Sequence, residues 1–354
     1  MRDSNSALDR AVIEAAAAVR TQDHPTMAVW LLFVACLLLI ITCLLSLTIG
    51  AQPLSLAAIW HAVFSFSGSL YDTIFWSYRV PRTVLAVICG AAFGVAGALT
   101  QAATRNPLAD PGILGVNAGA SFLVTIAVGF LGFRSIDTYI WFSFAGAIGL
   151  SAVVYLMGTR GREGTPSIRL VLSGIAISAL LMGITSGMTI LDPQLLDAMR
   201  LWHLGSVAGR DMAVVITVLP FIIAGLVIGL ATARALNAIS MGDDIAHALG
   251  VSVIRTRILV VTAITLLCGA ATAAAGPVGF VGLMVPHVVR WTIGPDQRWI
   301  ILLTMILSSV LLLLADVVGR VVLFPDEIQA GIITAFIGAP VLIFLARSRK
   351  VTAL

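Results

Sequence analysis

One carboxylate stands inside a long apolar run. It is Asp316, in LLLLADVVGR, and Arg320 follows it by four residues, the spacing at which two side chains meet on one helix face. A charge at membrane depth is costly, so it marks an ion or proton path, a gate, or an internally satisfied pair. With Arg320 beside it, Asp316 reads first as half of a structural pair at a helix end, ahead of gating and of a proton site. His287 follows Pro286 near the end of an apolar run and His203 lies in a polar gap. Neither has a nucleophile at hand, and each reads as a local hydrogen-bonding residue.

The patterns of intramembrane hydrolysis are missing: the chain contains no GxSxG serine, no HExxH and no paired aspartates within spans. Cys36, Cys43, Cys89 and Cys268 all sit in apolar stretches without a CxxC spacing, which suits small packing residues and argues for neither a disulfide nor a metal site. ATP hydrolysis is excluded more firmly. A phosphate-gripping loop needs GxxxxGK[ST], and the chain's sole lysine is Lys350. No cofactor is therefore expected on this chain, and any ATP and Mg belong to separate subunits.

The elements that must position these residues are membrane spans. Of 354 residues, 59% are hydrophobic and 11% charged, against about 25% charged in an ordinary soluble domain. A soluble fold would lack the charged surface to stay dispersed. A span needs roughly 20 apolar residues, and ten candidates occur, at about 28–50, 83–104, 113–131, 138–158, 168–190, 213–231, 256–275, 277–293, 299–319 and 328–346. The expected fold is therefore all-α, a polytopic bundle of about ten transmembrane helices. It comprises a cytoplasmic N-terminal segment 1–27, a ten-span transmembrane domain 28–346 and a cytoplasmic tail 347–354. Leu8, Val12, Ala15 and Val19 share one helical face of the first segment.

Ten spans put both termini on one side. With them inside, only Arg79, Arg82, Arg134, Arg200, Arg210 and Arg320 of the 21 basic residues fall on outer segments, so the positive-inside rule places both ends in the cytoplasm. Glycines cluster within spans, as Gly90, Gly94 and Gly97 or Gly183 and Gly187, which predicts close helix crossings. The stretches GAAFGVAGALTQ, from Gly90, and GAATAAAGPVGF, from Gly269, are faintly alike and run in opposite senses in this topology, which would make the bundle an inverted repeat.

Two gaps stand out. The inner one, about 232–255, has helix-forming stretches on either side of Met241 and Gly242. Asp243 and Asp244 are placed to favour the start of the second stretch. A short cytoplasmic hairpin is expected, with Ala246, Ala248 and Gly250 leaving a low surface for a partner's cleft. On the outside, Arg79 and Arg82 flank Val80-Pro81 and join Arg320 as cations on the side where cations are scarce. They would steer a partner or ligand bearing carboxylates.

With RNPLADPGILGVNAGASF from Arg105, these segments carry a family resemblance. Together with RVPRT, GFVGLMVPHVVR, LLLLADVVGR and AFIGAPVLIFL, they resemble, in family order from about Ile49 to Ala346, the permeases of ATP-binding-cassette importers for ferric siderophores, haem and cobalamin. The resemblance implies a ten-span subunit of a bacterial inner membrane, paired with a second permease copy or a related permease. Two ATPase subunits bind inside and a soluble substrate-binding protein docks outside. It implies that Arg79, Arg82 and Arg320 meet acidic residues of that binding protein. It also makes the hairpin the ATPase-coupling loop, with Asp244-Ile245-Ala246 and Gly250 similar to a degenerate EAA-x-x-x-G motif. RNPLADPGILGVNAGASF, ALNAISMG and GAPVLIFL look closest to ferric-enterobactin-type permeases, which implies a catecholate siderophore. On this reading, charge reversal at Arg79 and Arg82 weakens docking without harming folding, and a bulky residue at Gly250 uncouples ATP hydrolysis from uptake.

Overall fold

The computed structural model describes residues 25–133, 135–159 and 166–347. The expected amphipathic stretch from Leu8 to Val19 and most of the C-terminal tail lie outside them. No strand occurs among the described residues. In chain order the helices are α1 (Pro25–Thr48), α2 (Leu56–Phe64), α3 (Val80–Thr104), α4 (Val116–Gly129), α5 (Ile136–Thr159), α6 (Pro166–Leu191) and α7 (Pro193–His203). They continue as α8 (Met212–Ser240), α9 (Asp243–Ala248), α10 (Val253–Ala275), α11 (Val281–Ile293), α12 (Gln297–Val322) and α13 (Ala330–Arg347). A helical turn Leu70–Thr73 and a wider-pitched stretch Ile74–Arg79 lead into α3 without a break.

A helix occupies each of the ten expected runs, but they are not equivalent. Seven are long and apolar enough to cross a membrane, while Val116–Gly129, Val281–Ile293 and Ala330–Phe344 are shorter apolar helices. At 1.5 Å per residue, the 14 residues of α4 and the 13 of α11 rise only about 20 Å, less than the roughly 30 Å of a hydrocarbon core. Both start among buried residues. Asn117, at the head of α4, accepts a 3.0 Å hydrogen bond from Thr272, in the buried last turn of α10. Gly282, at the head of α11, packs its backbone on Gly97 of α3. The irregular chain leading to each is tolerable only because protein surrounds it. Asp110 accepts from the Gly112 amide at 2.7 Å. The end of α10 is satisfied by Ser206, whose amide donates to Ala275 O at 2.7 Å, and by Arg210, whose Nε donates to Ala274 O at 3.0 Å.

Small side chains decide what sits in the centre. In α3 83% of the most apolar window is buried, against 17% in α1 and in α6, so α3 is the hub and the other two present their flanks to lipid or to another chain. A Cβ at Gly90 would lie 2.6 Å from Ser309 Cα of α12, and one at Gly97 would lie 1.8 Å from Gly282 O of α11. Gly119 and Gly146 make a matching crossing between α4 and α5, each within 2.2 Å of the other's carbonyl by the same measure. Where apolar burial gives no drive between helices, such backbone proximity supplies the packing. Gly97→Val is therefore expected to destabilise the bundle by about 1–3 kcal/mol or more, since backbone cannot yield as a side chain does. Gly149→Val is the control, because nothing lies within 4 Å of a Cβ there. Thermal unfolding of the two variants in one detergent checks the contrast; equal melting would refute it.

The two similar stretches do not occupy equivalent places. Gly90 to Gln101 lies wholly within α3, whereas Gly269 to Phe280 runs off the end of α10 into the loop before α11. What recurs is coarser: a long small-residue helix, an irregular link and a short helix with a buried start, once as α3 to α4 and once as α10 to α11.

Candidate docking and coupling sites

At the N-terminal end of α3, the three expected arginines lie in one cluster. Asp316 accepts from Arg320 across one turn of α12, the pair anticipated from its spacing. It also accepts from Arg82, whose Nη2 lies 2.8 Å from Oδ1 and whose Nε lies 3.1 Å from each carboxylate oxygen. The terminal nitrogens of Arg320 also reach the end of α1, while its Nε has no partner: Nη1 donates to Ser46 O at 2.7 Å and Ile49 O at 3.0 Å, and Nη2 donates to Ser46 Oγ at 3.1 Å. Arg79 donates to Ile49 O and, at 3.1 Å, to Gln52 O. One aspartate and the frayed carbonyl end of α1 thus tie α1, α3 and α12 together. Carbonyls at a helix C-terminus carry partial negative charge, so guanidiniums are the fitting partners.

This geometry changes the picture of three arginines reaching outwards. Arg79 is 7% exposed and Arg320 2%, and both are committed to partners within the chain. Arg82 is the member that borders solvent, and there it meets a residue to which no motif pointed: Glu327, in the link between α12 and α13, whose Oε2 is 2.8 Å from Nη2. Arg79, Arg82 and Glu327, with Gln52, Leu70 and Tyr78, line an open cavity of about 450 Å³. The expectation that charge reversal at Arg79 and Arg82 spares folding does not survive. A glutamate at position 82 would face Asp316 and Glu327 in a half-dry site, where like charges repel strongly.

At the opposite end of the bundle the hairpin forms where expected in the chain, with a partly different surface. The first stretch is simply the end of α8, which runs unbroken to Ser240, and α9 follows after Met241 and Gly242. Gly242 has φ +125° and Gly250 φ +78°, backbone shapes that favour glycine and bracket the short helix. Asp243 and Asp244 lie in its first turn but make no capping bond. Asp243 instead pairs with Arg105 and, at 2.9 Å, with Arg257 of α10. Arg105 adds a bond to Ile239 O. The first residue of RNPLADP is therefore what clamps the hairpin to the bundle. Ala246 is fully buried in a small core with Ala238, Ile239 and Val253, so it is the hairpin's own packing rather than part of a low docking surface. Ala248 and Gly250 do lie on the surface, with Asp244 and His247, and the large apolar side chains presented beside them are Met241, Ile245 and Leu249, 64%, 45% and 63% exposed.

Two further links, absent from any motif reading, join this end of the molecule. Arg290 of α11 donates to Gln101 Oε1 at 3.1 Å, and Gln101 Nε2 donates to Leu283 O at 3.1 Å. Asn237 of α8 donates to Asp296 at 2.7 Å and accepts from the Gln297 amide at 2.8 Å, fixing the start of α12 beside the hairpin.

A multi-helix membrane bundle, pinned by charge at one end and presenting a hairpin with exposed apolar side chains at the other, belongs to the class of multi-pass membrane transport subunits. The chain belongs to the FecCD transport family, whose family model matches residues 38–348. It is 45% identical over 314 residues to the ferric enterobactin transport system permease protein FepD of Escherichia coli (strain K12), covering 88% of this chain and 93% of that one. It is 33% identical over 314 residues to the hemin transport system permease protein HmuU of Yersinia pestis, covering 87% and 92%. A solved metal-chelate type ABC transporter in an inward-facing conformation superposes with a TM-score of 0.80 at 29% identity, over 89% of this chain and 98% of that one.

Proposed function

We propose that this chain is the permease subunit of an ATP-driven importer and forms the path by which a ferric siderophore, of catecholate type, crosses a bacterial cytoplasmic membrane with both chain ends inside. The hairpin carries the mechanism. A chain that cannot bind ATP through a lysine-bearing loop must receive work mechanically, and Met241, Ile245 and Leu249 form an apolar knob that seats in a cleft of an ATPase subunit. The Asp243 bridge to Arg105 and Arg257 then makes the knob rigid with α3, α8 and α10. Movement of the ATPase passes directly to the helices that surround the path. The cationic outer cluster faces a soluble binding protein that delivers the cargo.

A second permease, another copy or a relative, completes the path. Gly183 and Gly187 support this: other span glycines such as Gly90, Gly97 and Gly119 meet a neighbouring backbone, whereas these two meet nothing and lie on the sparsely buried α6. The catecholate preference rests on the 45% identity to the ferric enterobactin relative. The second reading, a haem or cobalamin cargo, rests on the more distant hemin and cobalamin relatives.

Reconstitution into liposomes with the ATPase and the binding protein tests the proposal. Uptake of ferric enterobactin should require all components and ATP, and excess haem or cobalamin should not compete. Uptake by this chain alone in ATP-free liposomes, driven by an ion gradient, would overturn it.

A further inference from the structure

We infer that Glu327 is an internal placeholder at the outer docking site, occupying Arg82 until a carboxylate of the incoming binding protein takes its place. The inference rests on the importer reading above and concerns how the docked state is made reversible.

Arg82 divides its guanidinium between two carboxylates with different commitments. Asp316 is 2% exposed and holds Arg320 as well, so it cannot leave Arg82 without stranding buried charge, a change that costs several kcal/mol. Glu327 is 35% exposed and its bonds go to Arg82, as Nη1 to Oε1 at 3.2 Å and Nη2 to Oε2 at 2.8 Å. It covers the solvent side of a guanidinium that is itself only 13% exposed. With Glu327 in place, the cluster sets three guanidiniums against two carboxylates. With Glu327 turned away, one faces three, and Arg82 opens onto the adjoining cavity of about 450 Å³.

The backbone makes that exchange a side-chain event. The Ile328 amide donates to Gly319 O at 2.9 Å, and Ile328 O comes so near α12 that a Cβ at Gly319 would lie 2.1 Å from it. The link is thus anchored immediately beside Glu327, and release of Arg82 needs only rotation of the glutamate side chain. One carboxylate replaces another with little change in the number of charge-assisted bonds. Docking gains steering from the net positive cluster, and undocking is assisted by the return of Glu327.

The test is titration of the substrate-binding protein of the same transport system against the permease with its ATPase in lipid nanodiscs. For Glu327→Ala and Glu327→Gln, the expected result is binding about tenfold tighter than wild type, with slower dissociation and reduced uptake per ATP. Because Asp316 still holds Arg82, both variants should melt like wild type. Affinity that is unchanged or weaker in both variants overturns the placeholder while leaving the importer reading standing. A wild-type complex that shows no binding at all strikes the docking reading itself, and the inference with it.

Discussion

Asp316→Ala is expected to cost about 3–5 kcal/mol and most of the assembled protein, because it leaves two guanidiniums in a nearly dry site without their shared anion. Arg320 is buried to 2% exposure and Arg82 keeps only Glu327. The effect should exceed that of Arg79→Ala. Arg79 bonds backbone carbonyls alone, and those carbonyls keep Arg320 or water as partners. Membrane yield and unfolding midpoint of the two variants provide the comparison. Asp316→Glu, which retains the charge, should recover part of the loss. A proton-coupling role for Asp316 would instead predict a well-folded Asp316→Asn variant that fails only in transport. The bidentate geometry to Arg82 argues against that outcome, since it uses both carboxylate oxygens at 3.1 Å or closer.

The second large effect lies at the opposite end. Replacing Met241, Ile245 and Leu249 together with serine is expected to abolish ATP-driven uptake while leaving the bundle folded. These side chains are largely exposed, and none belongs to the hairpin's small core. Separate assays of ATPase binding and of uptake discriminate the reading: retained uptake with retained ATPase association would refute the knob. Gly250→Val acts by another route. Nothing lies within 4 Å of a Cβ at Gly250, yet φ is +78°, so the substitution strains the backbone rather than a contact. It should tilt α9 and lower the ratio of uptake to ATP consumed while ATPase association persists. Gly250→Asn, which tolerates that φ better, should restore part of the coupling.

How far the sequence reached depended on the range of the interaction concerned. Apolar runs are local, so a helix was legible in each of the ten runs, though α8 continues nine residues past its run and only seven helices are long and apolar enough to cross a membrane. The pairing of Asp316 with Arg320 was also legible, because one helical turn separates them. Glycine at Gly90, Gly94 and Gly97 announced a crossing, though not with which helix. The hairpin's existence followed from the length and composition of its segment. Its surface did not follow, because Ala246 and Ile245 differ only in which way the short helix is turned, and Asp243 sets that turn by bonding Arg105, 138 residues away in sequence.

By itself, then, the sequence determined the medium this chain inhabits, its helical elements, its lack of a nucleotide-gripping loop and the places where charge would gather. Those follow from composition and from spacings within a single helix. Only the tertiary structure decided that α4 and α11 begin against buried neighbours, that Arg79 and Arg320 turn to the end of α1, and that Glu327 rather than open solvent faces Arg82. Each of these depends on which distant backbone supplies or demands a hydrogen bond once water is gone. That is settled by how helices cross, a matter of three-dimensional approach that no spacing along one strand of sequence encodes.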